Sequence, residues 1–84
     1  MPTKEDFRGD IRARLQKATD EGLKAVTLDS RVIHRALGGY PGINHRMPSC
    51  CEAMYDEMRA GDEIVEAPPK GRGATLRIRY RLPR

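Results

Sequence analysis

The stretch LRIRYRL at residues 76–82 alternates apolar and basic side chains without interruption. Successive side chains of a β-strand point to opposite faces of the sheet, so a period of two predicts a strand with one buried and one exposed face. The apolar members are Leu76, Ile78, Tyr80 and Leu82, and the basic members are Arg77, Arg79 and Arg81. Such a strand needs partner strands at its edges and helices over its apolar face, and the remaining sequence predicts both.

Upstream of this strand, the clearest predicted helix begins near Thr3. Thr3 and Asp6 have the spacing of a capping box, in which each side chain accepts a hydrogen bond from the other residue's backbone N–H. Gly22 suits the left-handed residue that ends a helix, and Leu23 is expected to make the apolar contact that accompanies it. Apolar residues recur at helical spacing along one face, at Phe7, Ile11, Leu15 and Ala18.

A second helix is predicted over residues 31–37, after a short β-prone stretch at 25–28, with Asp29 or Ser30 as its N-cap. The residues expected to face the core are Val32, Ile33, Ala36 and Leu37. The residues expected together on the outer side are Arg31, His34 and Arg35. Glycines and a proline at 38–42 predict a turn that ends this helix.

The third helix is predicted to begin near Pro48, because proline is pre-organised for the first helical position, and to close at Gly61. Its core face is expected to comprise Cys50, Cys51, Met54, Tyr55 and Met58. A strand at 63–67 and the glycine-rich loop 70–73 then lead to the final strand.

The predicted order is therefore helix, short strand, helix, turn, helix, strand, glycine-rich loop and strand. A chain built in this order packs three helices on a small antiparallel sheet that ends in a β-hairpin, which is an α+β fold. The 84 residues suffice for one such domain, spanning residues 1–84. In this architecture the chain resembles the winged helix-turn-helix superfamily, and the resemblance covers nearly its whole length.

The resemblance implies a mode of DNA binding. In winged-helix proteins the third helix enters the major groove, the second crosses the backbone, and the hairpin, or wing, reaches phosphates or the minor groove. The residues that would make these contacts are Arg31 and Arg35 on the second helix, His45, Arg46 and Ser49 at the leading end of the third, and Lys70 and Arg72 at the tip of the wing.

The charge distribution also favours the wing as a nucleic-acid surface. The net charge is +4, yet residues 1–66 carry ten Lys or Arg against twelve Asp or Glu, whereas residues 67–84 carry six basic residues and no acid. A local basic patch attracts a polyanion, so Arg77 and Arg79 join the predicted nucleic-acid contacts. The third helix is instead acidic, with Glu52, Asp56 and Glu57 balanced only by Arg59. We therefore expect the wing and final strand to lead binding.

Two other interpretations of the charge pattern remain open at this point. Arginines on an exposed strand face also keep sheets soluble by discouraging edge-to-edge association. A protein-interaction module is the second, because an acidic helix and a basic hairpin would give a bipolar surface suited to a charged partner, a homodimer or a larger protein complex. Fold alone does not decide between these functions.

Catalytic and metal-binding chemistry is not predicted. The spacing of His34, His45, Cys50 and Cys51 matches no usual zinc pattern, and adjacent cysteines rarely bond to each other. Cys51 fits the apolar face of the third helix and is expected to be a core residue. Cys50, near the start of that helix, could have a lowered pKa and be redox-sensitive. We expect a non-enzymatic protein with no cofactor.

The expected location is the cytoplasm, associated with the nucleoid if the source is bacterial. No apolar run approaches the roughly 20 residues that a membrane span needs, and residues 1–10 are charged throughout, unlike a signal peptide. Double-stranded DNA is the expected partner, with no membrane partner, and transcription regulation is the expected role.

Overall fold

The computed structural model describes residues 3–37, 47–69, 71 and 73–83. Its elements, in chain order, are α1 (Lys4–Asp20), β1 (Ala25–Asp29), α2 (Ser30–Ala36), α3 (Met47–Asp56), β2 (Glu63–Glu66) and β3 (Arg77–Arg81). The described residues thus form a small α+β fold of three helices and a three-stranded antiparallel sheet, in the predicted order. The predicted turn at 38–42 lies outside the described residues.

The beginning of α1 confirms the predicted capping box. The Asp6 backbone N–H donates to Thr3 Oγ1 at 3.2 Å, and the Thr3 backbone N–H donates to Asp6 Oδ2 at 2.8 Å. At the other end Gly22 has a φ of +83°, and the Leu23 N–H bonds to the Ala18 carbonyl at 3.0 Å. The Leu23 side chain, for which an apolar contact was expected, is half exposed.

The strand β3 is the centre of the sheet. It pairs antiparallel with β1 on one side and with β2 on the other, in the order β1-β3-β2. The alternation in the sequence is confirmed: the apolar positions of 76–82 are buried, and Arg77, Arg79 and Arg81 are exposed. A register irregularity between Ile64 and Glu66 interrupts the pairing of β2, which forms one edge of the sheet.

A single core joins the helices to the buried face of the sheet. Its largest fully buried side chains are Phe7, Ile11, Ile33, Met47, Met54, Leu76, Ile78 and Tyr80. The Tyr80 hydroxyl donates to the Met54 carbonyl at 2.7 Å, which ties β3 to α3 at the middle of this core. Each buried aliphatic or aromatic side chain contributes about 1.5–3 kcal/mol to the stability of the fold.

The orientation of α2 differs from the prediction. The buried residues of α2 are Ser30, Ile33 and His34, whereas Val32 is half exposed and Ala36 is exposed. The His34 ring is fully buried and lies 5.3 Å from the Phe7 ring, between centroids. The prediction that His34 lies on the outer side is therefore wrong: Ser30, Ile33 and His34 follow the i, i+3, i+4 stripe of a helix, and it is this stripe that faces the core.

The end of α3 also differs from the prediction, because the helix stops at Asp56 rather than near Gly61. Residues 59–62 form a separate turn. In it the Asp62 N–H donates to the Arg59 carbonyl at 3.0 Å, and the Arg59 N–H donates to Asp62 Oδ2 at 2.8 Å. The Asp62 carboxylate thus offers the backbone an alternative to helical bonding, as aspartate often does.

Candidate nucleic-acid interface

The structure describes five of the nine predicted DNA contacts. They are Arg31 and Arg35 on α2, Ser49 on α3, and Arg77 and Arg79 on β3. The remaining four, His45, Arg46, Lys70 and Arg72, lie outside the described residues.

The exposed face of the sheet carries arginines and carboxylates on neighbouring strands. Arg77 lies 3.3 Å from an oxygen of Asp29 on β1 and 3.9 Å from one of Glu66 on β2, and Arg79 lies 3.5 Å from one of Glu63. The prediction that the positive charges of these arginines have no nearby acid is therefore wrong. It failed because β3 lies between two strands that bring carboxylates from distant parts of the chain.

These ion pairs do not block the arginines. Exposed pairs are worth about 0–1 kcal/mol each, because water and salt screen them. The side chains of Arg77 and Arg79 keep 46% and 53% of their surface exposed, so both guanidiniums are accessible to a ligand.

Asp29 connects the basic residues of α2 to those of β3. It is the N-cap of α2, and its Oδ1 accepts the Arg31 backbone N–H at 2.8 Å. Its Oδ2 lies 3.3 Å from Arg31 Nη2 and 3.3 Å from Arg77 Nε. The structure thus brings together two residues that are 46 positions apart in the sequence. The capping role of Asp29 was visible in the sequence, but its contact with Arg77 depends on strand pairing and was not.

The environment of Asp29 favours its charged form. Partial burial acts to raise the pKa of this carboxyl, but hydrogen bonds from the side chain and backbone of Arg31 and from the side chain of Arg77 outweigh it. The pKa of Asp29 is therefore below its ordinary value.

Arg35 and Ser49 extend this surface along the helices. Arg35 is exposed and follows Arg31 by four residues, so the two lie on the same side of α2. Ser49 is partly buried in the first turn of α3. The next residue of α3, Cys50, places its Sγ 3.6 Å from the Ser30 carbonyl, so this end of α3 lies beside the start of α2.

The β2–β3 loop, residues 67–76, is hydrogen-bonded to the helices at two glycines. The Tyr55 hydroxyl of α3 donates to the Gly71 carbonyl at 2.5 Å. The Ser30 hydroxyl donates to the Gly73 carbonyl at 2.9 Å, and Cys51 Sγ lies 3.3 Å from both the nitrogen and the oxygen of Gly73. Glycine is required at position 71, where φ is +80°. The role of Tyr55 gave no signal in the sequence beyond its place on the apolar face of α3.

We expect Tyr55→Phe to loosen this loop without unfolding the protein. The change removes one hydrogen bond, which is worth about 1 kcal/mol. The Gly71 amide, which donates to the Pro68 carbonyl at 2.9 Å, should then exchange with solvent roughly five-fold faster. Hydrogen exchange followed by NMR measures this rate. Tyr80→Phe is the matched control, because it removes the hydroxyl bonded to Met54 and should leave the exchange at Gly71 unchanged once global stability is corrected for. Equal rates in Tyr55→Phe and wild type would contradict the anchoring role.

Two of the three acids predicted for the third helix, Asp56 and Glu57, are paired with basic residues of α1. Asp56 Oδ2 lies 2.9 Å from Lys4 Nζ. Glu57, just beyond the helix, is buried, and its Oε2 lies 2.8 Å from Arg8 Nε and 3.0 Å from Arg12 Nη2. The expectation that only Arg59 balances these acids was wrong, because α1 packs along α3 with its basic residues toward them. These contacts offset part of the acidic charge on which the protein-interaction hypothesis relied, and that hypothesis stays a prediction.

Both cysteines are buried core residues. This confirms the prediction for Cys51. For Cys50 the expected lowering of the pKa is wrong: burial raises the pKa of this thiol to about 12. A thiol with a raised pKa is a poor nucleophile, because the reactive species is the thiolate.

Comparison with known proteins gives no relative to extend these observations. No protein-family model, curated protein or solved structure matches the chain. Within the residues that the structure describes, no group of three or more His, Cys, Asp or Glu is placed to hold a metal ion. In the same part of the chain, the helices are too short or too polar to cross a membrane.

Proposed function

We propose that this protein is a non-enzymatic DNA-binding protein of the winged-helix type, which contacts the phosphate backbone of a duplex in a regulatory role. The observation that carries the proposal is the meeting of Arg31 and Arg77 at Asp29, because it joins the basic residues of α2 and of β3 into one accessible surface. Arg35 follows Arg31 by four residues on α2, and Arg79 follows Arg77 by two residues on β3.

The β2–β3 loop, which is hydrogen-bonded to the helices, also supports the proposal. In a winged helix the wing must be held in place to reach phosphates, and this loop is bonded to both α2 and α3. Lys70 and Arg72 belong to this loop in the sequence and are proposed to contact phosphate. His45, Arg46 and Ser49 are proposed to meet the groove at the leading end of α3, where backbone N–H groups favour an anion.

The aromatic residues favour a duplex over a single strand as the ligand. Proteins that bind single strands stack bases on exposed aromatic rings. Of the aromatic residues that the structure describes, Phe7 and Tyr80 are fully buried and Tyr55 is partly buried against the loop. Among the described residues, the proposed surface therefore offers charge to the backbone and no exposed aromatic ring to the bases.

A salt titration against random duplex DNA tests the proposal. We expect micromolar binding at low salt that weakens steeply as salt is added, because binding releases counterions from the DNA. Lys70→Glu should weaken binding to all sequences alike, as expected of a phosphate contact. Lys17→Glu on α1 is the matched control, because it changes the net charge equally at a site outside the proposed surface. No binding at low salt, or equal losses in the two variants, would overturn the proposal.

A protein-interaction module remains the second candidate, on a surface other than the one expected from the sequence. Ile64 and Val65 are consecutive residues of the edge strand β2, and their exposed fractions are 47% and 54%. Exposed apolar pairs on a sheet edge are typical of sites where another chain adds a strand. Light scattering of the wild type and of Val65→Glu measures self-association through this edge, and association lost in the variant would favour this candidate.

A further inference from the structure

We propose that Arg31, Arg77 and Asp29 form one phosphate subsite, in which both guanidiniums bind the same backbone phosphate and Asp29 holds them in position. The inference rests on the proposed function. The two arginines belong to different elements, and the sequence alone would assign them to two separate phosphates. In the proposed subsite they bind a single phosphate, and an acidic residue is part of the site.

The backbone fixes the relative position of the three residues. Asp29 and Arg77 are directly paired across β1 and β3. Arg31 follows Asp29 by two residues and is held by the capping bond from its own backbone N–H. Both guanidiniums lie within 3.3 Å of the same carboxylate oxygen, so they are close to each other by construction of the fold.

The exposure of the three side chains indicates which residue positions the others and which residues bind the phosphate. Asp29 is mostly buried, with 18% of its side chain exposed, whereas Arg31 and Arg77 keep 43% and 46%. The carboxylate thus lies beneath two guanidiniums that face solvent. A planar guanidinium carries five N–H donors in a fork that matches phosphate oxygens, so it can hold a carboxylate on one edge and a phosphate on another.

The charges of this cluster match a phosphodiester. Taken by themselves, Arg31, Arg77 and Asp29 sum to a single positive charge, and a backbone phosphate carries a single negative one. Glu66, at 3.9 Å from Arg77 Nε, is half exposed and competes only weakly for that guanidinium. Without Asp29 the two guanidiniums would repel each other, so the carboxylate is what allows them to share one small ligand.

Salt dependence of binding counts the phosphates that the two arginines hold. Each phosphate contributes about 0.9 to the slope of log K against log salt for duplex DNA. If Arg31 and Arg77 share one phosphate, the double variant Arg31→Ala, Arg77→Ala should lose about 0.9 of the slope. The matched pair Arg35→Ala, Arg79→Ala removes the same charge from two separate contacts and should lose about 1.8. Fluorescence anisotropy of a labelled random 16-base-pair duplex measures all three slopes.

Asp29→Asn tests whether the carboxylate positions the arginines. Asparagine caps a helix as well as aspartate, so the fold is retained, which thermal unfolding checks. The variant has one more net positive charge, and simple attraction would strengthen its binding to DNA. A positioning role predicts the opposite, a roughly three-fold to five-fold weaker affinity, because the guanidiniums separate.

The outcomes distinguish this inference from the proposed function. A wild type that does not bind the duplex at low salt overturns both. A wild type that binds, together with a slope loss for Arg31→Ala, Arg77→Ala equal to that of the matched pair, overturns the shared phosphate and leaves the proposed function standing. Stronger binding by Asp29→Asn overturns the role of the carboxylate.

Discussion

Phe7→Ala should lower the free energy of unfolding by about 3–5 kcal/mol. The Phe7 side chain is fully buried where α1 meets α2, and its ring packs against the buried His34 ring. Truncation removes these contacts and leaves a cavity that a short helix cannot close. Small domains are stable by only about 5–15 kcal/mol, so the loss is a large share of the total.

Urea and thermal unfolding followed by circular dichroism measure this loss. For a domain of this size we expect the midpoint temperature to fall by about 12 °C or more. Phe7→Leu is the control, because it keeps most of the buried volume and should cost less than about half as much. A loss below about 1 kcal/mol in Phe7→Ala would mean that this side chain does not join the two helices as described.

Acidification should destabilise the protein through Glu57, and Glu57→Gln should cost about 2 kcal/mol at neutral pH. Burial acts to raise the pKa of Glu57, but hydrogen bonds from Arg12 and Arg8 outweigh it, so the pKa lies below its ordinary value of 4.5. A group whose pKa is lowered in the folded state stabilises the fold above its unfolded pKa. That stabilisation is lost as the pH falls through the folded pKa.

Urea unfolding at pH 7 and at pH 3 checks this expectation. The wild type should lose stability between the two conditions, and Glu57→Gln should lose less because it has no carboxylate to protonate. Glu5→Gln is the matched control: Glu5 also pairs with Arg8, at 3.1 Å, but its side chain is 70% exposed. It should therefore behave like the wild type at both pH values. An equal loss in the wild type and in Glu57→Gln would show that this buried carboxylate does not govern the response to acid.

Features governed by local sequence were predicted well. The capping box at Thr3 and the alternation of 76–82 depend on neighbours within four residues, and the structure confirms both. Of the two N-caps predicted for α2, Asp29 and Ser30, the structure shows Asp29. The order of helices and strands follows from these local signals. The core face of α3 was predicted in part: Cys50, Cys51 and Met54 are buried, whereas Tyr55 and Met58 are only partly buried.

Features governed by tertiary contacts were not predicted. His34 is buried because α2 turns the face that contains it toward α1, and a seven-residue helix has too few apolar residues to reveal that face from its sequence. The interpretation of the charge pattern was wrong for the same reason, because Arg77 and Glu57 form ion pairs with residues 48 and 49 positions away in the sequence. For the candidate site, the basic residue types were visible in the sequence, and their convergence on Asp29 was not.

The central place of β3 in the sheet has a consequence for the order of folding. The described parts of β1 and β2 have their ladder partners in β3, so neither strand has a sheet to join until residues 77–81 arrive. Pairing β1 with β3 closes a loop of about 50 residues, which costs entropy before any contact repays it. Local helical bonds are therefore expected to form before the sheet, and the surface that carries Arg31 and Arg77 to assemble late.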